Sequence, residues 1–373
     1  MSRSAQAPSK EGAYPRIHIL VSLDFGGSET QMLNLAREYQ KQNLQESVAF
    51  YSLTKGGIIS NALQNLGFQA VVIGESPTIP NLRLIWKLVR LIRKARPVAV
   101  MTNGAEANFH GVIAARLAGV KYVVSEEIGI GDHSFLARKV FRLINMITTA
   151  NIAASPQVAD HMLATREVSE RKVSVIYAPL FILGEKAERK TLEFSVCKFL
   201  YLGRLEPVKD LDLLIDALHS LKTQYETSNW SLTMVGDGSE RQRLFEKVHS
   251  LDMGPNVTFQ GKSDDVGTYL AQSHFLVQSS LSEGMGLSLA EALQAGTPVI
   301  TTNVGIASEV VETSKNGFLI ESHASKDFVK ALFMATHLTE VEYQEMSSSA
   351  LQTDLTRYST VTYLKKVEEI LRK

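Results

Sequence analysis

Two carboxylates stand eight residues apart in SEGMGLSLAEALQAGTPVI, residues 282–300: Glu283 among glycines, and Glu291 in an alanine- and leucine-rich run. Upstream, Arg204 and Lys209 bracket a proline-stiffened loop, GRLEPVKD, residues 203–210. A planar guanidinium beside a point-charge ammonium suits a diphosphate. The turn Gly284-Met285-Gly286 precedes a helix that begins at Leu287. It leaves backbone amides free at the positive end of the helix dipole, a ready anion site. Glu291, about one turn into that helix, can accept two hydroxyls, as on a ribose, and Glu283 can project towards a ligand. Taken singly, these are a loop acid, a solvated helix acid, two surface cations and a tight turn. Taken together, they suit a nucleotide carrying a diphosphate.

The elements that must position them alternate in kind. Short β-branched runs at 17–23, 47–51, 70–73, 98–102 and 122–125 are interleaved with amphipathic stretches at 29–42, 82–95 and 107–117. After a pause at 178–195, strands at 198–201, 230–235, 257–260, 275–278 and 299–302 alternate with helices at 211–225, 240–251, 266–272 and 287–295. Residues 340–373 read as helices. This order predicts an α/β protein of two tandem, doubly wound Rossmann-like domains with parallel sheets, facing a central cleft. Such sheets bind ligands outside the carboxyl ends of their strands.

Three other strand-end loops carry weaker signals. Asp24-Phe25-Gly26-Gly27-Ser28-Glu29 pairs two glycines before a helix, and is equally a plain tight turn. Gly236-Asp237-Gly238-Ser239 reads as a turn with Ser239 capping the next helix. Gly261-Lys262-Ser263 could frame a flat ring through backbone groups. No GxGxxG or GxxxxGK[ST] motif occurs, which weakens dinucleotide and P-loop readings.

Composition sets the bounds. At 373 residues, 45% apolar and 21% charged, the chain suits two soluble domains. The net charge of zero hides an asymmetry: residues 1–180 carry 20 Lys and Arg against 13 Asp and Glu, and the remainder 19 against 26. With no net positive charge and no aromatic-basic cluster, a nucleic-acid module is not expected. The single cysteine, Cys197, lies in an apolar run and reads as a core residue. Residues 1–14 have no apolar core and read as a disordered tail rather than a secretory signal. The expectation is a cytoplasmic protein.

The segments from Ser282 through Glu291 to Val299 resemble the E-x7-E signature of family-4 retaining glycosyltransferases. YLGRLEPVKD (201–210), MVGDGSE (234–240) and FGGSETQMLNLA (25–36) resemble other segments of that family, in the same order and spacing, over about residues 15–330. The resemblance implies the glycosyltransferase B fold. An acceptor-side domain would span 15–180, a donor-binding domain 181–354, and a helix at 355–373 would cross back to the first domain. It implies Arg204 and Lys209 as a diphosphate clamp, Glu291 on the ribose and Glu283 beside the donor sugar. Amides of Gly284, Met285, Gly286 and Leu287 would hold the distal phosphate and sugar. Gly26 and Gly27 would approach donor phosphates or acceptor, and Gly261 and Lys262 belong to the donor side. No metal or other cofactor is implied. Some positions depart from the pattern. Glu127 stands where relatives have histidine, as does Asn103, and Glu106-Ala107-Asn108 replaces a HAN run. His110, one turn from Glu106, is either an acceptor-side substitute or a helix-surface residue.

The expected activity is transfer of a hexose-type sugar from a UDP- or GDP-sugar to a glycan or lipid-linked acceptor in cell-surface polysaccharide synthesis. A sugar-nucleotide-binding scaffold without turnover and a sugar-nucleotide epimerase are the alternatives. Residues 81–96 carry six cations and no acid, with Arg83, Lys87, Arg90 and Lys94 on one helical face. That face is either simply solvated or meets anionic lipid headgroups, with Trp86 at the margin. The second reading makes the protein peripheral on the inner face of the membrane.

Overall fold

The computed structural model describes residues 16–131, 133–182, 195–263 and 265–372. The tail expected over 1–14 lies outside them. The chain divides into two compact units, one formed by Met1–Phe181 with Tyr358–Lys373 and the other by Ile182–Arg357.

The first unit holds strands β1 Arg16–Leu20, β2 Val48–Ser52, β3 Gln69–Val72, β4 Ala99–Asn103, β5 Tyr122–Glu127, β6 Ala150–Ala153 and β7 Val173–Val175. They form one parallel sheet in the order β3-β2-β1-β4-β5-β6-β7. The period-2 alternation of strand side chains divides the core. Ile17 and Ile19 of β1 join a cluster with helices Leu82–Ala95, Ala105–Leu117 and Phe135–Ile147. Leu20 faces a second cluster with helices Gly27–Lys41, Ile58–Asn65 and Thr360–Arg372. Covering both faces lets these strands be apolar on both sides.

The second unit holds β8 Cys197–Leu202, β9 Trp230–Val235, β10 Val257–Gly261, β11 Phe275–Gln278, β12 Val299–Thr302 and β13 Gly317–Ile320. Its sheet is also parallel, in the order β10-β9-β8-β11-β12-β13. Cys197 is 2% exposed and burial pushes its thiol pKa up, so it is a core residue rather than a nucleophile. In each sheet the strand order reverses beside the first strand, between β1 and β4 and between β8 and β11. Such a reversal opens a crevice at the carboxyl ends of the strands.

Helix Thr360–Arg372 belongs to the first unit. The returning chain is fastened by Leu180, whose amide donates to the Tyr358 carbonyl at 2.8 Å and whose carbonyl accepts from the Thr360 amide at 2.9 Å. Tyr363, Leu364, Val367 and Leu371 are then buried in the core of that unit. Arg16 of β1 is hydrogen-bonded to Glu368 on the same helix.

Several elements differ from the sequence reading. Strand β5 extends through Glu126 and Glu127, which the periodicity leaves outside at 125. Helix Ile58–Asn65, and the run from helix Phe135–Ile147 to β7, were not legible. Strands of three or four residues such as β6 and β7 are too short to show a period.

Candidate active site

The loop after β8 and the loop after β11 flank the reversal point of the second sheet. They are stitched together through the backbone. The Leu281 amide donates to the Val208 carbonyl at 2.9 Å, and Ser279 Oγ donates to the Lys209 carbonyl at 2.9 Å. The neighbouring strands brace both sides. Thr302 Oγ1 donates to the Ser280 carbonyl at 2.7 Å, and the Leu205 amide to the Asp237 carbonyl at 3.0 Å.

Two glycines permit the close packing. At Gly236, φ is +143° and an added Cβ would lie 1.8 Å from the Gly203 carbonyl oxygen. At Gly305, φ is +60° and a Cβ would lie 2.3 Å from the Met285 carbonyl oxygen. A side chain at either position would force the loops apart. Ser239 is not the helix cap expected from sequence. Its hydroxyl donates to Glu206 Oε2 at 2.7 Å, which ties the third loop to the first.

This scaffold brings Lys209 and Glu283 together. Glu283 Oε1 accepts from Lys209 Nζ at 2.6 Å, Gln278 Nε2 at 2.6 Å and Ser280 Oγ at 2.7 Å. All three donors converge on one oxygen, so Oε2 has no partner among the described residues. Gln278 and Ser280, which were not sequence candidates, hold this rotamer. The only sequence signal for them is their place at the end of β11. Arg204 is exposed and its guanidinium makes no ion pair among the described residues, while its carbonyl accepts from the buried Tyr201 hydroxyl at 2.7 Å. The loop is therefore anchored and its cation left free.

Met285 and Gly286 are buried, and Gly286, at φ +87°, is the N-cap of helix Leu287–Gln294. The amides of Gly284, Met285, Gly286 and Leu287 have no acceptor among the described residues. Glu291 is half-buried in the second turn of that helix. Gly261, at φ +78°, ends β10 with open space around it, and Lys262 beside it is exposed. These features surround one set of strand ends with three cations, free amides and two carboxylates, and the second oxygen of Glu283 is open. An anionic, hydroxyl-rich ligand matches that set.

In the first unit, Gly26 is the N-cap of helix Gly27–Lys41, and an added Cβ at Gly27 would meet nothing within 4 Å. Asn103, Asn108, Glu126 and Glu127 gather at the ends of β4 and β5. Asn103 Nδ2 donates to Glu126 Oε2 at 3.0 Å, and Asn108 Nδ2 donates to the Glu126 carbonyl at 3.1 Å and to Glu127 Oε2 at 3.4 Å. Tyr363, from the returning helix, also donates to Glu126 Oε2, at 3.1 Å. Burial pushes Glu126 up to about 7, while burial and the nearby Glu167 carboxylate push Glu127 up to about 8. Glu126, Tyr363, Glu167 and its partner His133, at 3.2 Å, were not among the sequence candidates.

One expectation needs correction. His110 is neither on the helix surface nor open to an acceptor: it is 0% exposed, and its Nε2 accepts from the Asn81 amide at 3.2 Å. Its Nδ1 lies 2.8 Å from the Glu106 carbonyl, so both ring nitrogens are used within the fold. The basic face of helix Leu82–Ala95 carries one acidic partner for its four cations. Glu75, which precedes that helix, pairs with Arg83 at 3.2 Å and with Lys87. Arg90 and Lys94 have no partner among the described residues.

Comparison with known proteins supplies the family. Residues 25–180 match the family model described as Glycosyltransferase Family 4, and residues 178–350 the model described as Glycosyl transferases group 1. An uncharacterized glycosyltransferase of Haemophilus influenzae is 24% identical over 88% of this chain and 92% of its own length. The UDP-Gal:alpha-D-GlcNAc-diphosphoundecaprenol alpha-1,3-galactosyltransferase of Escherichia coli is 26% identical over 69% of this chain and 71% of its own. The crystal structure of Anabaena Alr3699/HepE in complex with UDP and glucose superposes with a TM-score of 0.81, covering 96% of this chain and 100% of that one at 20% identity. The two family models meet where the first unit hands over to the second: the chain belongs to glycosyltransferase family 4, with the glycosyltransferase B fold.

Proposed function

We propose that the chain is a retaining, metal-independent glycosyltransferase that moves a hexose from a UDP-sugar to a glycan or lipid-linked acceptor in cell-surface polysaccharide synthesis. The observation that carries this reading is the Lys209–Glu283 pair beside the unpaired Arg204. Arg204 and Lys209 hold the diphosphate, and the free amides from Gly284 to Leu287 take its distal phosphate. Glu291 accepts the ribose hydroxyls, and the backbone around Gly261 and Lys262 borders the base. Glu283 uses Oε1 to stay in place and Oε2 to accept a sugar hydroxyl. The UDP complex of the structural neighbour and the UDP-galactose donor named for the relative from E. coli favour UDP over GDP. The diphosphoundecaprenol acceptor of that relative supports a lipid-linked acceptor.

In the reaction, the bond from the anomeric carbon to the distal phosphate oxygen breaks while the acceptor oxygen bonds the same face of that carbon. The acceptor proton passes to the departing phosphate oxygen. Negative charge grows on the diphosphate, where Arg204, Lys209 and the helix dipole stabilise it without a metal. Glu283 positions the sugar and forms no covalent bond. The side chains of Asn103, Glu106, Asn108 and Glu127 serve the acceptor or sugar side. The test is a thermal-shift panel of UDP, GDP and ADP in EDTA, followed by UDP-sugar hydrolysis assays. Stabilisation by UDP with turnover of one UDP-hexose supports the reading; stabilisation without turnover of any sugar nucleotide contradicts it.

A further inference from the structure

Helix Phe135–Ile147, FLARKVFRLINMI, is amphipathic in an unusual sense. Its inner face buries Phe141 and Ile144, as a core helix should. Its outer face is also apolar: Phe135, Leu136, Leu143, Met146 and Ile147 are 74, 71, 63, 61 and 44% exposed. At helical spacing these five fall within an arc of about 120°. Soluble helices turn polar residues outward, and contiguous apolar patches are rare on soluble monomers.

The charges on this helix have one sign. Lys139 and Arg142 lie within or beside the arc, and neither this helix nor Leu82–Ala95 contains an acid. Helix Ala105–Leu117 packs between the two, so all three lie in one layer. Unpaired Arg90 and Lys94 add to the same layer. At the carboxyl end of helix Phe135–Ile147, a cavity of about 380 Å³ is lined by Arg142, Met146, Arg166, Glu167 and Lys172, among others. Arg142 and Arg166 are exposed and have no partner among the described residues. Glu167 is 5% exposed and paired with His133, so the open side of the cavity is cationic.

An apolar ridge flanked by cations, with Lys139 over the Phe135 ring at 4.4 Å and Arg142 without a partner among the described residues, next to a cationic pocket, is complementary to anionic phospholipid. A second copy of the chain fits less well. A twofold contact through this face would set Lys139 and Arg142 against their own copies with no acid to answer them. Among the described residues no helix is long and apolar enough to cross a membrane, so the contact is with a surface. We propose that helix Phe135–Ile147 seats the first unit on an anionic phospholipid bilayer. Its five apolar side chains enter the acyl boundary, and Arg142 and Arg166 take a lipid phosphate in the cavity. This places the membrane contact on the apolar helix Phe135–Ile147 rather than on the basic face of Leu82–Ala95, where Arg83 and Lys87 already share Glu75. It stands apart from the donor chemistry, since vesicle binding needs no sugar nucleotide.

The test is co-sedimentation of the full chain with vesicles of phosphatidylcholine alone and of phosphatidylcholine with phosphatidylglycerol. Wild type should bind the anionic vesicles at least tenfold more tightly, and added salt should weaken that binding. The triple variant Leu136→Ser/Leu143→Ser/Met146→Ser should lose at least tenfold in affinity while keeping its thermal midpoint. Arg142→Ala/Arg166→Ala, at two exposed positions, should remove the anionic preference even if the triple variant folds poorly. Wild type left in the supernatant, or both variants binding as wild type does, would overturn the proposal. So would a wild-type dimer that the triple variant converts to monomer.

Discussion

Lys209 Nζ and Glu283 Oε1 meet at 2.6 Å although 74 residues separate them in the chain. The contact exists because β11 lies beside β8, which places the two loops on either side of the point where the strand order reverses. Both side chains are largely shielded, at 15% and 13% exposure, so the pair holds its geometry before any ligand arrives. Replacing Glu283 with Gln keeps the size but gives Lys209 a neutral partner and weakens the hold on a sugar hydroxyl. Glu283→Gln should lower kcat by about 100-fold while changing UDP affinity by less than about 10-fold. Steady-state kinetics with UDP titration separates the two effects. Full turnover in the variant would remove Glu283 from its assigned role.

Arg204 makes no ion pair among the described residues, so Arg204→Ala should leave the unfolding midpoint unchanged. Its expected effect is on the donor: a loss of about 1.5–3 kcal/mol in UDP binding, as for a charge-assisted hydrogen bond. Arg204→Lys should recover only part of it, because an ammonium does not reproduce the planar fork. Glu291→Ala should also weaken UDP binding while affecting UMP and UDP alike, since its proposed partner is the ribose. Calorimetry with both nucleotides distinguishes the two residues.

Gly27 separates folding from ligand approach. An added Cβ there meets nothing within 4 Å, and the residue opens helix Gly27–Lys41. Gly27→Ala should therefore hold or raise stability, by up to about 1 kcal/mol. If this turn admits substrate to within backbone distance, the same variant should lose sugar transfer at least tenfold. A more stable and fully active variant would reduce the glycine pair to a turn.

Glu126 gives the first unit a pH dependence with a definite sign. A glutamate titrates near ~4.3 in an unfolded chain, and in the fold burial pushes Glu126 up to about 7. Between those values the folded state keeps a proton that the unfolded state releases, so stability falls as pH rises through that window and levels off above it. Glu126→Gln can still accept from Asn103 and Tyr363 and has no proton to lose. It should gain about 1–3 kcal/mol over wild type at about pH 9 and nothing at about pH 4. Urea unfolding at the two pH values measures this, and an equal difference at both would contradict the assigned cause.

Much of the second unit was legible because its chemistry-bearing residues directly follow apolar runs. Arg204, Lys209, Glu283 and Gly286 each sit just beyond a strand, and strand ends are where a doubly wound sheet places its ligand. The pairing of Lys209 with Glu283 was not legible, since it depends on which strands are neighbours rather than on spacing. The partial pairing of the basic face at 83–94 was not legible, because Glu75, which two of its cations share, lies outside the helical window. His110 illustrates the same limit: its partner, the Asn81 amide, lies 29 residues away. Helix Phe135–Ile147 is apolar on both faces in sequence, and only packing reveals which face remains outside.

In the proposed reaction the strand ends of the second unit hold the diphosphate of a UDP-sugar without a metal. Calorimetric titration of UDP into wild type and Arg204→Ala, both in EDTA, tests it most directly. Wild type should bind in the micromolar range, the variant at least tenfold more weakly, and Mg²⁺ should add no affinity. Equal affinity in the two proteins, or binding that appears only with the metal, would contradict it.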